Sequence, residues 1–287
     1  MVKARCGQSS GPFPWAIPGV VDGHSHIFCG DGYVERLLET ADSLGISRIC
    51  VSGHRQGAWN LLTNEGILAA AEKYPERLIP FAFVQLGDEG PEAVRQAVRR
   101  GFWGVKFIAP LVGYDDERAY SVYEAVADAG LPAHFHCGVV AYERGLAANS
   151  EFMRPMRLDP VARRFPDMPM LLSHLGVPEY EVATTLARII PNIFVDITGN
   201  PRGGWCCSKT PEFIKSLFYW PGWHRKLIFG TDVRWELMGE AIEMHTRMLS
   251  ALDVSKDMAC AIYRDNFRRF VGETVDPPVE NSEMRPG

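Results

Sequence analysis

Eight short apolar runs, seven of them followed by a segment of helical periodicity before the next begins, limit this chain more than any other feature of its sequence. The runs are Val20–His26, Arg48–Ser52, Leu78–Val84, Gly104–Ile108, Pro132–His136, Met170–His174, Ile193–Thr198 and Lys226–Gly230. Between and after them lie Tyr33–Leu44, Asn64–Lys73, Pro91–Arg100, Glu117–Ala129, Pro160–Phe165, Pro178–Ile189, Pro211–Phe218 and Trp235–Leu252, with a last helix at Met258–Val271. Local signals agree: Gly45 closes the first helix, Thr63 stands where the second would be capped, and Pro91 opens the third. Strands that alternate with helices build a parallel sheet. Runs that are apolar throughout suit strands buried on both faces. Eight such units predict an α/β fold, a (β/α)8 TIM-type barrel in a single domain. The rival is an open doubly wound sheet, but no Gly-X-Gly-X-X-Gly turn follows the first run. The barrel is expected over residues 20–272, after an irregular Gly/Pro/Ser-rich arm at 1–19 and before a flexible polar tail at 273–287.

In such a barrel the reactive groups sit at the C-terminal ends of strands. His24 and His26 close the first run in Val-Val-Asp-Gly-His-Ser-His, and residues i and i+2 of a strand share a face. Two neutral imidazoles so placed can grip one metal ion. His134 and His136 repeat the spacing at the fifth run, His174 ends the sixth, and Asp232 follows the eighth in Phe-Gly-Thr-Asp. Lys106 lies in the fourth run. Five of the eight histidines thus fall at strand ends, where scatter would put them on helices and loops. His136 is the better ligand of its pair, with His134 a layer below or supporting it. His54 follows the second run and could reach the barrel mouth, whereas His224 and His245 read as loop and helix residues.

These residues reach a family. His24-Ser-His26 after Val-Asp-Gly, His136 in His-Phe-His-Cys-Gly, Leu-Leu-Ser-His174-Leu-Gly and Phe-Gly-Thr-Asp232 together resemble the metal-dependent amidohydrolase superfamily, and most closely its amidohydrolase-2 branch of hydrolases, lactonases and aminocarboxymuconate-semialdehyde decarboxylase-like enzymes. Asn266-Phe-Arg-Arg-Phe is similar to the family's terminal helix. The resemblance implies His24, His26, His136 and Asp232 as metal ligands and His174 as an acid/base group beside the metal. It leaves Lys106 with two readings: no role in the site, or a carboxylated bridge between two metals. The mononuclear reading follows the closer branch.

Three imidazoles and a carboxylate suit one divalent ion, Zn²⁺ first and Mn²⁺ as the alternative. The expected activity is metal-assisted attack of water on the amide, lactone or ester carbonyl of a small, carboxylated substrate, with Asp232 and His174 moving protons. Arg55 and Arg234 are candidates for holding the substrate carboxylate. The alternative is a metal-dependent, non-oxidative decarboxylase of a small aromatic or enoic acid. Trp59, Tyr114 and Trp205 are candidates for a planar-substrate wall, and Cys29 and Cys137 for thiols near the site.

A net charge of −5 offers no surface for nucleic acid. No apolar run reaches the roughly 20 residues that cross a bilayer, and the seven scattered cysteines form no disulfide framework or structural zinc pair. A cytoplasmic protein acting on a small molecule, with no membrane partner and a homodimer as the base-rate assembly, is the expectation.

Overall fold

A computed structural model of the chain describes residues 13–275. The first twelve residues of the expected arm, and the expected tail beyond residue 275, lie outside the described residues. Seven strands, β1 (Val20–Ser25), β2 (Ile46–Ser52), β3 (Leu78–Phe83), β4 (Gly104–Phe107), β5 (Ala133–Phe135), β6 (Met170–Leu172) and β7 (Ile193–Val195), pair in parallel and in chain order. The helices between them are α1 (Tyr33–Ser43), α2 (Asn64–Lys73), α3 (Pro91–Arg99), α4 (Glu117–Asp128), α5 (Leu158–Arg164) and α6 (Tyr180–Ile189). Then come α7 (Pro211–Leu217), α8 (Met238–Met248), α9 (Lys256–Cys260) and α10 (Asn266–Phe270). The result is a curled, barrel-like α/β sheet.

Burial explains why the runs became strands. All six residues of β1 and of β3 are buried, as a sheet covered by helices on one side and filled on the other demands. One set of side chains fills the interior near the strands' starts: Val21, Cys50, Ile79, Phe81, Leu171 and Ile228, with Phe267 and Phe270 of α10 packed against them. Above this apolar plug the interior turns polar. Lys106 pairs with His134 in register, both with side chains wholly buried.

The expected eighth strand is corrected. Lys226–Gly230 forms only an isolated bridge, Val195 with Leu227. Its backbone still spans the gap. Val195 N donates to Lys226 O (2.9 Å) and Ile228 N to Val195 O (2.9 Å), while Gly23 N donates to Phe229 O (2.9 Å) and Asp232 N to His24 O (2.8 Å). A regular ladder fails because the Phe229 amide goes elsewhere, to Ile262 O at 3.1 Å in the π-helical turn Ala261–Asp265. Gly230 lets this segment pass β1: a Cβ there would lie 2.7 Å from His24 Cβ.

Smaller departures follow the same logic. The helix expected over Trp235–Leu252 is a 3₁₀ turn (Trp235–Leu237) and then α8, and the one expected over Met258–Val271 is broken by the π turn. Thr63 precedes α2 without a side-chain cap bond, whereas Pro91 opens α3 as expected. Phe13 of the arm packs edge-on against Phe229 and Tyr263. Among the described residues no helix is long and apolar enough to cross a membrane.

Candidate active site

The histidines gather at the C-terminal ends of the strands. His24 is the fifth residue of β1 and His26 lies one residue past its end, with ring centroids 5.7 Å apart. His136 follows β5, held to β4 by its amide bond to Phe107 O (2.8 Å). His174 is not in β6. It lies in the turn after it, in a left-handed conformation (φ 57°), as does Asp232 (φ 50°). Strained non-glycine backbone of this kind persists only where the surroundings hold it, and it concentrates at functional sites. Here Asp196 and Thr198 hold the first and Asp22 the second.

Asp232 is the hub. Its Oδ1 lies 3.4 Å from His26 Nε2 and 3.6 Å from His24 Nε2, and its Oδ2 lies 3.7 Å from His174 Nε2. The ligand atoms of His24, His26 and Asp232 fall within 4.8 Å of one another. His136 Nε2 is buried beside them without a protein partner, its ring centroid 4.8 Å from that of His174. An unanswered buried nitrogen in a ring of imidazoles and a carboxylate is the donor set of a divalent ion. The four residues fit a metal.

Two carboxylates unforeseen in the sequence organise this cluster. Asp196, just past β7, takes His24 Nδ1–H on Oδ2 (2.9 Å). Its Oδ1 accepts from His174 N (2.8 Å), Thr198 N (3.0 Å) and Thr198 Oγ1 (2.6 Å). Thr198 Oγ1, its proton given to Asp196, accepts from His174 Nδ1–H (2.8 Å). Both neutral rings therefore carry their proton on Nδ1 and present a lone pair at Nε2. Asp22 accepts from Thr231 N (3.0 Å) and Thr231 Oγ1 (2.5 Å), which fixes the turn that carries Asp232. Each aspartate interrupts an otherwise apolar run, and that was the signal: a carboxylate inside a buried strand must have partners.

The electrostatics favour neutral imidazoles. Burial pushes His26 and His134 well below the ordinary range, helped by Lys106, and pushes down His136, helped by His174. His174 is lowered by burial too, against the pull of Asp232 and Asp196. Burial works to raise Asp196, but His24 and its hydrogen bonds hold it below the usual carboxylate range. Burial raises Asp22 to about 6. Lys106 is wholly buried, its Nζ 3.1 Å from both His24 Nε2 and His134 Nε2, and burial brings it down to about 8. His134 sits below the cluster, its Nε2 2.8 Å from Ser173 Oγ.

A cavity of about 780 Å³ opens above the cluster. His24, His26, His136, His174 and Asp232 form its floor, and Phe28, Trp59, Leu61, Ile108 and Val140 supply apolar wall. His54, Cys29, Glu143 and Asn200 also line it. Other candidates lie elsewhere in the structure. Arg55 and Arg234 are exposed and stand outside the lining, Arg234 lying over the Phe28 ring (4.9 Å). Tyr114 is core, donating to His136 O (2.8 Å), and Trp205 packs on Tyr180. Cys137 is buried, and burial raises its thiol.

A parallel, barrel-like sheet with a histidine–aspartate cluster at its C-terminal mouth defines a protein built like the metal-dependent TIM-barrel enzymes. The amidohydrolase family model matches residues 30–272, and the chain belongs to that family. The matched span starts just after His24 and His26. Among solved structures, an uncharacterized TIM-barrel protein of Bordetella bronchiseptica is similar at TM-score 0.69 and 16% identity, over 88% of this chain and 98% of that one. A probable 2-pyrone-4,6-dicarboxylic acid hydrolase of Acinetobacter baumannii, with citric acid bound, gives 0.62 and 17%, over 88% and 99%. A 5-carboxyvanillate decarboxylase of Novosphingobium aromaticivorans, complexed with manganese, gives 0.57 and 15%, over 82% and 79%. At these identities the likeness carries the fold. No curated protein matches the chain.

Proposed function

We propose that the chain is a metal-dependent hydrolase that opens an amide, lactone or ester carbonyl of a small substrate. The observation that carries this reading is Asp232, whose two carboxylate oxygens face different imidazoles at the floor of one cavity. His24, His26, His136 and Asp232 would hold one divalent ion, Zn²⁺ by donor set, with Mn²⁺ the alternative. When bound, the ion supplies Lewis acidity, lowering the pKa of water and polarising a carbonyl.

The chain's residues do the rest. Asp232 takes the proton of the attacking water. His174, with Nδ1 anchored on Thr198, accepts that proton at Nε2, 3.7 Å from Asp232 Oδ2, and returns it to the leaving group. Asp196 keeps His24 and His174 in the tautomer these steps need. Lys106 supports one ion rather than two: its amine is enclosed between two imidazoles instead of standing free to bridge metals. Among the described residues lining the cavity there is no lysine or arginine, so a substrate carboxylate would depend on the ion for its positive partner.

Decarboxylation of a planar acid is the second reading, supported by the apolar wall of Phe28, Trp59 and Ile108. Elemental analysis of protein purified without added metal, followed by turnover of esters, lactones, amides and aromatic acids in ¹⁸O-water, tests both. One ion per chain and ¹⁸O in the product acid is the expected result. Release of CO2 without ¹⁸O uptake would install the decarboxylase reading. Metal-free protein that turns over none of them would defeat both.

A further inference from the structure

His136 is held differently from His24 and His174. His24 Nδ1–H is fixed by Asp196 (2.9 Å) and His174 Nδ1–H by Thr198 (2.8 Å), so side chains aim both of those rings. No side chain of the described residues bonds to the His136 ring, whose hydrogen-bonding neighbour is the backbone of Val139, three residues on. The aim of His136 Nε2 therefore depends on how the main chain is held at the end of β5.

That main chain is clamped on both sides. His136 N donates to Phe107 O of β4 (2.8 Å). On the other side β5 pairs with β6 only as far as Phe135 opposite Leu172, because the chain beyond turns left-handed at His174. The buried carbonyl of His136 thus has no strand to answer it and needs another donor. The Tyr114 hydroxyl is that donor, 2.8 Å from His136 O and 3.3 Å from Phe107 O. Its single proton goes to the nearer carbonyl, since Phe107 O already accepts the His136 amide.

Tyr114 is itself fixed from three directions. Its ring meets Phe135 edge-on (5.0 Å, 81°), its amide donates to Phe152 O (3.1 Å), and its carbonyl accepts from Tyr123 Oη of α4 (2.9 Å). Both phenols are wholly buried, and burial raises both well above the ordinary range, so Tyr114 remains a donor through the neutral range. Phenylalanine would satisfy the packing around this ring. What the hydroxyl adds is a bond from the loop after β4 to the carbonyl of His136.

We propose that Tyr114 is a positioning residue for the metal: through the His136 carbonyl it holds the end of β5 where His136 Nε2 reaches the ion. This rests on His136 being a ligand, as proposed above, and one set of variants separates the two claims.

The experiment is Zn²⁺ affinity by chelator competition for the parent, Tyr114→Phe, His136→Ala, the double variant and Tyr263→Phe, each at a temperature where circular dichroism shows it folded. Tyr263→Phe removes a buried hydroxyl of the same kind, 3.0 Å from His245 Nδ1 and away from the cluster. Tyr114→Phe is expected to bind Zn²⁺ at least about tenfold more weakly than the parent, with Tyr263→Phe within about twofold of it. Added to His136→Ala, which itself weakens binding, Tyr114→Phe should have no further effect. Unchanged affinity in Tyr114→Phe, an equal loss in Tyr263→Phe, or the same loss with and without His136 would overturn the proposal and leave the ligand set standing. Parent-like affinity in His136→Ala would overturn both. If His136→Ala binds too weakly to complete the comparison, the contrast between Tyr114→Phe and Tyr263→Phe decides alone.

Discussion

Lys106 Nζ lies 3.1 Å from His24 Nε2, the nitrogen whose lone pair a metal ion would use. Because His24 Nδ1–H is committed to Asp196, the contact runs from the lysine amine to the imidazole lone pair. Amine and ion compete for one pair of electrons. A bridging lysine would instead be needed to hold a second ion. Lys106→Met should therefore keep one ion per chain and bind it at least as tightly as the parent, by elemental analysis and metal titration. A fall from two ions to one or none in Lys106→Met would establish the binuclear site.

Asp196→Asn changes one atom and should cost much more. Asp196 Oδ1 already accepts three donors, so the amide nitrogen of the variant must take the place of Oδ2, facing His24 Nδ1. Two N–H groups cannot share that position, and His24 would shift its proton to Nε2, losing its lone pair for metal. Metal affinity should fall roughly 10- to 100-fold, as for other changes behind a ligand histidine. Stability should fall by about 1–3 kcal/mol, because a buried charge-assisted bond gives way to a neutral one and His24 is held in its less favoured tautomer. Metal titration and denaturant unfolding of the same preparation check the two effects together, and unaltered affinity would remove Asp196 from the site's support.

Asp232→Asn tests the proton step. The amide keeps an oxygen toward the imidazoles but accepts no proton from water. Turnover should fall by roughly 10²–10⁴-fold, the usual contribution of a positioned base. Single-turnover rates at saturating metal measure this without confusion from weaker metal binding. A variant within a few-fold of the parent would transfer the base role to His174.

Which of these residues could be found in the sequence depended on periodicity. His24, His26 and His136 followed from the two-residue repeat of a strand and from their place where apolar runs end. Seven strands were legible because their runs are mostly apolar and bounded by helical periodicity. The eighth was not, because the Phe229 amide is claimed by Ile262, far along the chain, which no local pattern records. Direction is also invisible in a loop: Arg55 and Arg234 adjoin site residues in sequence, but both are exposed and stand outside the cavity lining. Asp22 and Asp196 were readable in principle, as charges inside buried runs, but their partners Thr231 and His24 come from other strands' ends.

His245 makes the acid stability of the fold a further test, away from the site. It lies in α8, wholly buried against Phe229, with Nδ1 3.0 Å from Tyr263 Oη. Burial holds its imidazole down at about 3, against a slight pull from Asp196. The unfolded chain takes up a proton there near pH 6.5, whereas the folded chain does not until about 3. Between those values the unfolded state binds more protons, so stability falls as pH falls. The contribution is fully present above pH 6.5 and shrinks steadily below it, by at most about 5 kcal/mol at the acid end. His54, pushed down to about 4, works in the same direction over a narrower window. Replacing the titrating ring with a neutral polar one should flatten the slope. His245→Gln is expected to unfold at lower denaturant than the parent at pH 7.5 but to lose less stability on going to pH 5. Urea unfolding midpoints at the two pH values, for both proteins, measure the difference of slopes. Equal slopes would mean that protonating His245 does not separate the folded from the unfolded state, and acid sensitivity would then have to come from the histidines at the strand ends.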